Sequence, residues 1–365
     1  MTIPEEIDTP EIIIDRDVLQ RNIDRMATAV RAKGLHLRPH VKTHKVPEIA
    51  EMQLAAGAIG LTVATLGEAE VFAEHGAKDI FIAYPLWVGP RQAERLRRLA
   101  AKARIAVGLD SREAAEIMAA SLGAAVGEIE VLLEIDSGHH RSGISPDAAL
   151  DVAQAAAWAG LRVTGIFTFP GHSYAPGMPL KAADEERLAL GKTAELLTAA
   201  GFPITHVSGG STPTATLTGG SGATEVRPGV YVFGDAQQLE LDRCAAEDIA
   251  LTIAATVVSR HEGTDVIPRR VILDSGSKIL GGDRPGWATG FGRLLDHPEA
   301  RISALSEHHA TVVWPAEATL PALGDRLRVV PNHVCIAMNL VDNVTVVSGG
   351  EIVDRWHVAA RGRNK

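Results

Sequence analysis

The chain has 365 residues, a formal net charge of −9 at neutral pH and a hydrophobic content of 46%. This acidic balance, without a long basic run, argues against a nucleic-acid partner. The opening residues MTIPEEIDTP lack the pattern of a secretory signal, and no apolar run approaches the roughly 20 residues of a membrane span. Two cysteines are too few for a disulfide framework, so we expect a cytoplasmic protein without a membrane partner.

Short apolar runs alternate with helical patterns through most of the chain. DVLQRNIDRMATAVRAKG and DEERLALGKTAELLTAAG are two such helical patterns, and Gly201 is a typical stop for the second. Strands that alternate with helices form a parallel sheet, and eight of them predict closure into a barrel. The predicted strands are residues 36–42, 60–65, 79–84, 104–109, 129–135, 162–168, 204–207 and 224–232.

After residue 245 the pattern changes to strands linked by turns. We therefore predict an α/β protein in which a (β/α)₈ TIM-type barrel spans residues 12–245 and a second, C-terminal, mostly β domain spans residues 246–365. The segment EIIID is a candidate extra strand of the second domain, so residues 1–11 are a candidate part of it. Barrels of this kind place their chemistry at the C-terminal ends of the strands.

Two basic segments follow predicted strands at that end. In RPHVKTHK, residues 38–45, cations around Lys42 would keep part of it as the neutral amine, which could form a Schiff base with a carbonyl. In EIDSGHHRSGI, residues 134–144, Arg141 could face an anionic oxygen. The alternatives are a basic strand end that faces solvent and an arginine in a surface ion pair.

Glycine-rich turns follow the last two predicted strands. HVSGGSTPTA, residues 206–215, and EVRPGVYVFGD, residues 225–235, contain glycines that let backbone N–H groups turn inward and hydroxyls that add further donors. The loops after strands seven and eight of a barrel often bind phosphate. One such turn is a weak signal, but the pair favours an anion site.

A possible metal pair lies in the second domain, in PNHVC, residues 331–335. His333 and Cys335 are separated by one residue, so in an extended segment they point to the same face. Imidazole and thiolate are ligands of zinc, and two protein ligands leave positions open for water or substrate. The alternative is a histidine beside a buried cysteine that acts as a small hydrophobic residue.

These segments, in this order, resemble the fold-type III pyridoxal-phosphate enzymes, the alanine racemase-like group. GLTVATLGEAEVFAEHG is similar to the second barrel unit of that group. RPHVKTHK, GHSY, SGGSTPT, LDSGSK, LSEHH and PNHVC resemble its branch of D-threonine aldolases and D-serine dehydratases. Two departures stand out: no second-domain tyrosine is identifiable opposite the lysine, which disfavours racemisation, and LSEHH has a histidine where the branch has a second acidic residue.

The resemblance implies that Lys42 holds pyridoxal phosphate and that Lys42 and His172 are catalytic, although a loop-stabilising role is the alternative for His172. It implies a divalent metal, Zn, Mn or Mg, on His333 and Cys335. The cofactor-binding residues that it implies, besides Lys42, are His40, Arg141, Tyr174, Ser208, Gly209, Gly210, Ser211, Thr212, Arg227, Gly229, Val230 and Tyr231.

The implied activity is that of a lyase on a small D-β-hydroxy amino acid, by retro-aldol cleavage to glycine and an aldehyde as in D-threonine aldolase. The alternative is a D-serine, D-threonine or 3-hydroxy-D-aspartate dehydratase that gives a 2-oxo acid. A pyridoxal-phosphate homeostasis protein is a further alternative, but such proteins lack a large second domain. A purely structural zinc domain would need ligands that the sequence does not offer. The group also implies a homodimer.

Overall fold

The computed structural model of the chain describes residues 3–219 and 222–365. It divides into two compact units. The barrel unit comprises Asp24–Lys42, Ile49–Gly229 and Gly362–Lys365, and the β unit comprises the residues up to Ile23 together with Thr43–Glu48 and Val230–Arg361, as far as each is described. The predicted single boundary near residue 245 stays a prediction. The predicted domain ranges also include residues 1, 2, 220 and 221, which lie outside the described residues.

Helices and strands alternate in the barrel unit, and strands dominate the β unit. The strands are β1 Glu11–Asp15, β2 His36–Leu37, β3 Leu61–Val63, β4 Asp79–Pro85, β5 Arg104–Leu109, β6 Glu130–Glu134, β7 Arg162–Phe167, β8 His206–Gly209, β9 Glu225–Val226, β10 Leu251–His261, β11 Arg270–Leu273, β12 Gly292–Leu294, β13 Arg301–Leu305, β14 Ala310–Val313, β15 Arg326–Pro331, β16 Asn343–Ser348 and β17 Glu351–His357. The helices are α1 Arg16–Ala32, α2 Pro47–Ala55, α3 Leu66–Glu74, α4 Pro90–Ala100, α5 Arg112–Leu122, α6 Ala149–Trp158, α7 Pro179–Ala199, α8 Ala236–Glu240, α9 Ser277–Leu280 and α10 Val334–Met338.

In the described part of the barrel unit, eight parallel strands form one sheet in the order β2-β9-β8-β7-β6-β5-β4-β3. Its two ends meet, because His40 forms a parallel bridge with Thr62 and the Ile59 N–H donates to the Leu37 carbonyl. The predicted (β/α)₈ barrel is therefore confirmed. The eight predicted strands are all present, although the run predicted at 204–207 lies at His206–Gly209.

The first and last barrel strands are shorter than the sequence pattern predicted. β2 ends at Leu37 and β9 at Val226, whereas the predictions extended to residues 42 and 232. Pro39 and Pro228 follow these strands, and proline has no N–H with which to continue a ladder. The chain then forms 3₁₀ turns at Val41–Thr43 and Val230–Val232. Lys42 therefore lies on a turn beyond the strand rather than within it.

Helix α7 shows how the local sequence sets its own limits and its buried face. It ends at Ala199, and Gly201 adopts a positive φ of 88°, which confirms the predicted stop. Its buried positions follow the spacing of a single helical face. One of them is a carboxylate, Glu186, which is only 1% exposed. The buried residues of this face are Ala182, Glu186, Leu190, Thr193 and Leu197.

Two layers fill the barrel. An apolar layer packs Phe81, Ala106, Leu132 and Phe167, and the two phenylalanine rings meet edge to face at 5.0 Å. A layer of charged side chains is here called the base network; six of its seven members are the first residues of β4 to β9, and the seventh, Arg38, directly follows β2. The network consists of Arg38, Asp79, Arg104, Glu130, Arg162, His206 and Glu225.

The described strands of the β unit form one sheet in the order β11-β14-β13-β12-β15-β10-β1-β16-β17, and β11 also pairs with β10. The predicted mostly β second domain is thus confirmed. β1, which is EIIID, pairs antiparallel with β10 and parallel with β16, so this segment joins the sheet as expected. No helix among the described residues is long and apolar enough to cross a membrane.

Candidate active site

Lys42 lies at the C-terminal end of the barrel, here called the mouth, and its ammonium group faces an aromatic ring. Its Nζ is 5.8 Å from the ring centre of Phe169, and the Arg141 guanidinium lies 4.9 Å from the same centre. Among the described residues, Lys42 has no carboxylate within ion-pair distance, and it is only partly buried. The amine is therefore left without a strong partner, as a lysine that bonds covalently to a ligand requires.

His40 adds a buried acceptor to the same region. Its backbone N–H donates to the Pro228 carbonyl at 3.0 Å, and its Nδ1 is buried without a hydrogen-bond partner among the described residues. Burial, and then the positive charges of Lys42, Arg227 and Arg141, hold the pKa of His40 well below its ordinary value. The imidazole is therefore neutral, and the mouth is an electropositive place that suits an anionic ligand.

Arg227 is buried at the mouth and held from two sides. Its guanidinium donates to Ser208 Oγ and to the Thr168 carbonyl, and Ser208 Oγ donates to Glu225 at 2.6 Å. Burial lowers the pKa of Arg227 to about 10, so the group is still charged at neutral pH. The Ser208 hydroxyl, predicted to face a phosphate, is engaged by Glu225 and Arg227, and its role in cofactor binding stays a prediction.

The glycine-rich loop after β8 is tightly folded. A Cβ on Gly209 would lie 2.7 Å from Glu186 Oε1, and Gly210 has a φ of 75°, so neither position has room for a side chain. The Gly210 N–H donates to Glu186 at 2.9 Å, whereas the sequence predicted that it turns toward an anion. The Ser211 hydroxyl lies 2.9 Å from that of Ser173. Thr212 and Gly229, also predicted cofactor residues, are both partly exposed.

His172 and Tyr174 lie on the loop after β7. His172 Nε2 is 2.9 Å from Glu185 Oε2, and His172 Nδ1 is buried without a partner among the described residues. The Tyr174 ring lies 6.3 Å from that of Phe169, which places it beside the ring that Lys42 and Arg141 contact. A carboxylate that orients a histidine is a common arrangement for a general base.

The predicted metal pair, His333 and Cys335, lies in the β unit at the start of a helix, not in an extended segment. His333 precedes helix α10 and Cys335 lies within it, which corrects the predicted geometry. The two side chains still hydrogen-bond to each other. His333 Nδ1 is 3.3 Å from the buried Asp235, which leaves Nε2 for a metal. Burial would lower the pKa of His333, but Cys335 and Asp235 outweigh it and raise that pKa well above its ordinary value.

The β unit also contains the other predicted residues. Val230 and Tyr231 are buried there in the 3₁₀ turn, and the Cys335 sulfur lies 3.4 Å from Thr43 Oγ1. Thr43 is the next residue in the chain after Lys42. Within residues 3–219 and 222–365 no cluster of three or more histidine, cysteine or acidic side chains could hold a metal ion.

The site residues fit a phosphate-bearing carbonyl cofactor. The mouth offers an amine, Lys42, that has no carboxylate partner among the described residues, two further cations, Arg141 and Arg227, and a loop too tight for side chains. Four residues of this region were not predicted from the sequence: Phe169, Glu185, Glu186 and Asp235. Asp235 ends the quoted VRPGVYVFGD motif, and Glu186 is a charged residue on the apolar face of a helix, so both left a signal. Phe169 and Glu185 left none, because only the fold brings them to Lys42 and His172.

Comparisons with known proteins agree with this site. The family model for "Alanine racemase, N-terminal domain" matches residues 14–237, and a serine dehydratase domain model matches residues 250–347. The D-threo-3-hydroxyaspartate dehydratase of Delftia sp. (strain HT23) is 40% identical in an alignment of 356 positions that covers 90% of this chain and 91% of that protein. Its solved structure has a TM-score of 0.87 to this chain and covers 96% of it, with 97% of that chain covered.

Two aldolases are similar as well. D-threonine aldolase of Arthrobacter sp. is 33% identical and covers 98% of this chain and 93% of itself. The crystal structure of D-threonine aldolase from Filomicrobium marinum has a TM-score of 0.85 at 30% identity, and covers 98% of this chain and 96% of that chain. Two further similar structures are of D-threo-3-hydroxyaspartate dehydratase variants, one with a histidine-to-alanine substitution and one with a cysteine-to-alanine substitution in the metal-free form. Their substituted residues are two positions apart, as His333 and Cys335 are here.

Proposed function

The chain belongs to the alanine racemase-like family of fold-type III pyridoxal-phosphate enzymes, and we propose that it is a lyase acting on D-β-hydroxy amino acids. The observation that carries this proposal is the Lys42 ammonium, which lies over Phe169 beside Arg141 and has no carboxylate partner among the described residues. An amine with that environment can bond to a carbonyl cofactor, and the cations around it suit a phosphate.

The residues that would hold the cofactor are those of the mouth and of the turns next to it. Lys42 would bond to it covalently, and His40 and Arg227 would lie toward its ring. The proposed contacts to its phosphate and remaining edges come from Arg141, Tyr174, Ser208, Gly209, Gly210, Ser211, Thr212, Gly229, Val230 and Tyr231. Bound pyridoxal phosphate withdraws electrons from the α-carbon of an amino acid and so weakens the bonds at that carbon.

The chain's own residues would supply the proton transfers. Lys42, once it is free as an amine, would take the α-proton of the substrate at its Nζ. His172, held by Glu185, would act as a second base or would bind the substrate. The neutral state of His40 prevents a further positive charge beside Arg227. Arg227 is the candidate partner on the ring side, and an arginine there in place of a carboxylate would leave the cofactor nitrogen less protonated and so would moderate the electron withdrawal that the cofactor supplies.

We propose that His333 and Cys335 bind zinc. A thiolate favours zinc over magnesium or manganese, and Asp235 would fix the tautomer of the histidine ligand. Zinc supplies Lewis-acid polarisation of a hydroxyl group. Asp235 is fully buried and also caps helix α8 through the Gln238 N–H, so its orientation is set by the fold.

Between the two lyase reactions we favour dehydration, with D-threo-3-hydroxyaspartate as the first substrate to test. Two observations support this choice: the His–Cys spacing matches that of the residues substituted in two D-threo-3-hydroxyaspartate dehydratase structures, and the identity to the Delftia dehydratase is 40%, against 33% to the Arthrobacter aldolase. Retro-aldol cleavage, the reaction predicted first from the sequence, is the second candidate, because the aldolase from Filomicrobium marinum has almost the same fold over 98% of this chain.

The deciding experiment identifies products. The purified protein is incubated with pyridoxal phosphate, Zn²⁺ and D-threo-3-hydroxyaspartate or D-threonine, with the L-isomers as controls. Dehydration gives ammonia plus oxaloacetate or 2-oxobutanoate, whereas aldol cleavage gives glycine plus glyoxylate or acetaldehyde. Turnover of the L-isomers alone would refute the proposed stereochemistry. Failure to turn over any of these amino acids, with no visible absorption band from a lysine-linked cofactor, would refute the lyase proposal.

The metal proposal has a matched control, because the chain holds a second cysteine in the β unit, Cys244. Cys335→Ala is expected to lose about a hundredfold or more in zinc-dependent activity and in zinc affinity, and Cys244→Ala is expected to match the wild type. Equal behaviour of the two variants in a zinc titration would refute the assignment.

The homodimer and the cytoplasmic location stay predictions. Light scattering, which measures the molar mass in solution, tests the homodimer.

A further inference from the structure

Glu186 is a buried carboxylate without a counter-ion. It lies on the inner face of α7 and is 1% exposed, and among the described residues no arginine, lysine or histidine lies within ion-pair distance of it. Burying a charge without a pair is costly, so such a residue needs a compensating set of hydrogen bonds or a function. An alanine or leucine at this position would continue the apolar face of the helix.

The hydrogen bonds of Glu186 all go to one loop. Its Oε2 accepts from the Gly210 N–H at 2.9 Å, and its Oε1 accepts from the Thr218 hydroxyl at 3.0 Å. Gly209 packs directly on the carboxylate, because a Cβ there would lie 2.7 Å from Oε1 and 2.8 Å from Cδ. Glu186 therefore contacts both ends of the segment from Gly209 to Thr218.

The same loop carries the donors that the proposed function assigns to the phosphate. Its middle is braced internally, since the Ser211 N–H donates to Thr214 Oγ1 at 2.9 Å and the Ser211 hydroxyl lies 2.9 Å from that of Ser173. Gly210 has a φ of 75°, and its N–H is directed at Glu186. Loss of the Glu186 carboxylate would remove the hydrogen bond that holds this peptide.

We infer that Glu186 is a positioning residue for the cofactor phosphate, because it takes the Gly210 N–H and the Thr218 hydroxyl and so fixes the loop that would receive the phosphate. The inference rests on the proposed function. It assigns Gly210 a role different from the predicted one, because the Gly210 N–H donates to Glu186 and so fixes the loop. The lack of a side chain at Gly210 allows close packing on Val226, whose Cβ would lie 2.8 Å from a Cβ at position 210.

The test separates the phosphate from the rest of the cofactor. Glu186→Leu removes the acceptor and keeps the volume. Glu186→Gln keeps an acceptor for Gly210, and its amide can donate to Thr218 while Thr218 donates to the Thr214 carbonyl, which lies 3.1 Å from it. Glu68→Leu is the matched control, since Glu68 is also buried in the barrel unit and also accepts a backbone N–H, that of Ala64, at 2.7 Å.

We expect Glu186→Leu to raise the Kd for pyridoxal phosphate about tenfold or more and the Kd for pyridoxal, which lacks the phosphate, by less than about twofold. Glu186→Gln is expected to restore both values, and Glu68→Leu to leave their ratio unchanged. In the cofactor-free protein, amide hydrogen exchange of residues 206–218 is expected to be faster in Glu186→Leu than in the wild type. If Glu186→Leu does not fold, Thr218→Val takes the place of that variant in every measurement, because it removes one of the two hydrogen bonds to Glu186.

Equal weakening of both ligands, or unchanged exchange in residues 206–218, would overturn the inference. The exchange measurement needs no cofactor, so it judges the inference even if the wild type binds neither ligand. In that case the proposed function fails, and the role of Glu186 in fixing the loop is judged separately by the exchange rates.

Discussion

The two ends of the barrel unit carry similar charged side chains in different states of pairing. At the base, Arg38 pairs with Glu225 at 3.0 Å, and both side chains are almost fully buried. Arg104 and Arg162 both pair with Glu130, at 2.7 and 2.8 Å. Every arginine of this network meets a carboxylate, so the base is a closed set of charges that stabilises the barrel.

At the mouth the pairing is incomplete: Arg141 lies 3.9 Å from Glu134 and His172 lies 2.9 Å from Glu185, but Lys42 has no carboxylate within ion-pair distance among the described residues. The Lys42 ammonium faces a ring, and the Nδ1 atoms of His40 and His172 are buried without a hydrogen bond among the described residues. Buried polar groups in folded proteins are normally paired, so unpaired ones gathered in one place indicate a ligand site. Composition alone does not separate the two ends, whereas the pairing does.

The largest effect is expected at the mouth. Lys42→Ala should lower kcat of the holoenzyme at least about a thousandfold, because the group that bonds to the cofactor and moves the α-proton is removed. The free energy of unfolding of the cofactor-free protein should change by less than about 1 kcal/mol, since Lys42 has no ion pair to lose. Steady-state kinetics and urea unfolding measure the two. A large loss of stability with retained activity would reverse the comparison.

The base should respond in the opposite way. Arg38→Met keeps most of the side-chain volume but leaves Glu225 buried without its main partner, so the free energy of unfolding should fall by about 3–5 kcal/mol. Urea unfolding with an unchanged m-value checks this. Activity per folded molecule should remain. If stability were unchanged, the base network would not be the stabilising layer described here.

Glu186 is a third case, a buried charge with neither ion pair nor exposure, whose nearest cationic influence is Arg227. Burial raises the pKa of Glu186 to about 7 from an ordinary value of 4.5. The folded protein then binds more protons than the unfolded chain between these pH values. The free energy of unfolding should therefore fall as the pH rises through this window, by up to about 3 kcal/mol.

Glu186→Gln should remove that pH dependence. The variant should be about 2–3 kcal/mol more stable than the wild type at pH 8, and the difference should shrink toward pH 5, where the wild-type carboxyl is protonated in the folded protein. Urea unfolding at the two pH values measures it. A stability difference that is equal at both values would show that the carboxylate charge is not the cause.

The smallest effect on the free energy of unfolding is expected at Arg162, an exposed member of the base network. Arg162 pairs with Glu130, but its side chain is 51% exposed and Arg104 holds the same carboxylate. Arg162→Ala should lower the free energy of unfolding by less than about 1 kcal/mol. This variant is the control for Arg38→Met within one network. A cost as large as that of Arg38→Met would mean that burial does not govern the strength of these pairs.

Much of the fold could be predicted from the chain because its repeating unit is local. The alternation of short apolar runs and amphipathic helices predicts parallel strands, and Gly201 marks a helix end through a backbone conformation that glycine adopts readily. The EIIID strand could be recognised by its composition. The ends of β2 and β9 were overestimated, because the apolar pattern continues past Pro39 and Pro228 although the ladder does not.

Site residues at motif positions could also be proposed from the sequence, since Lys42, Arg141, Arg227, His333 and Cys335 stand in segments of unusual composition. Their local geometry was harder to foresee. His333 and Cys335 lie at the start of a short helix, and the spacing of two residues fits both a strand and a helical turn. Only the hydrogen bonds show that the Ser208 hydroxyl is engaged by Glu225 and that the Gly210 amide is engaged by Glu186.

The sequence by itself determined the class of fold, the lysine and the candidate ligands, because each depends on residues close together in the chain. The tertiary structure decided which charges are paired. Arg38 and Glu225 are 187 positions apart, and Glu186 is 24 positions from Gly210, so no local pattern relates them. A charged side chain stabilises the barrel when folding places a partner of opposite charge beside it, and it is available to a ligand when folding does not. That partner comes from a strand or helix that is distant in the sequence.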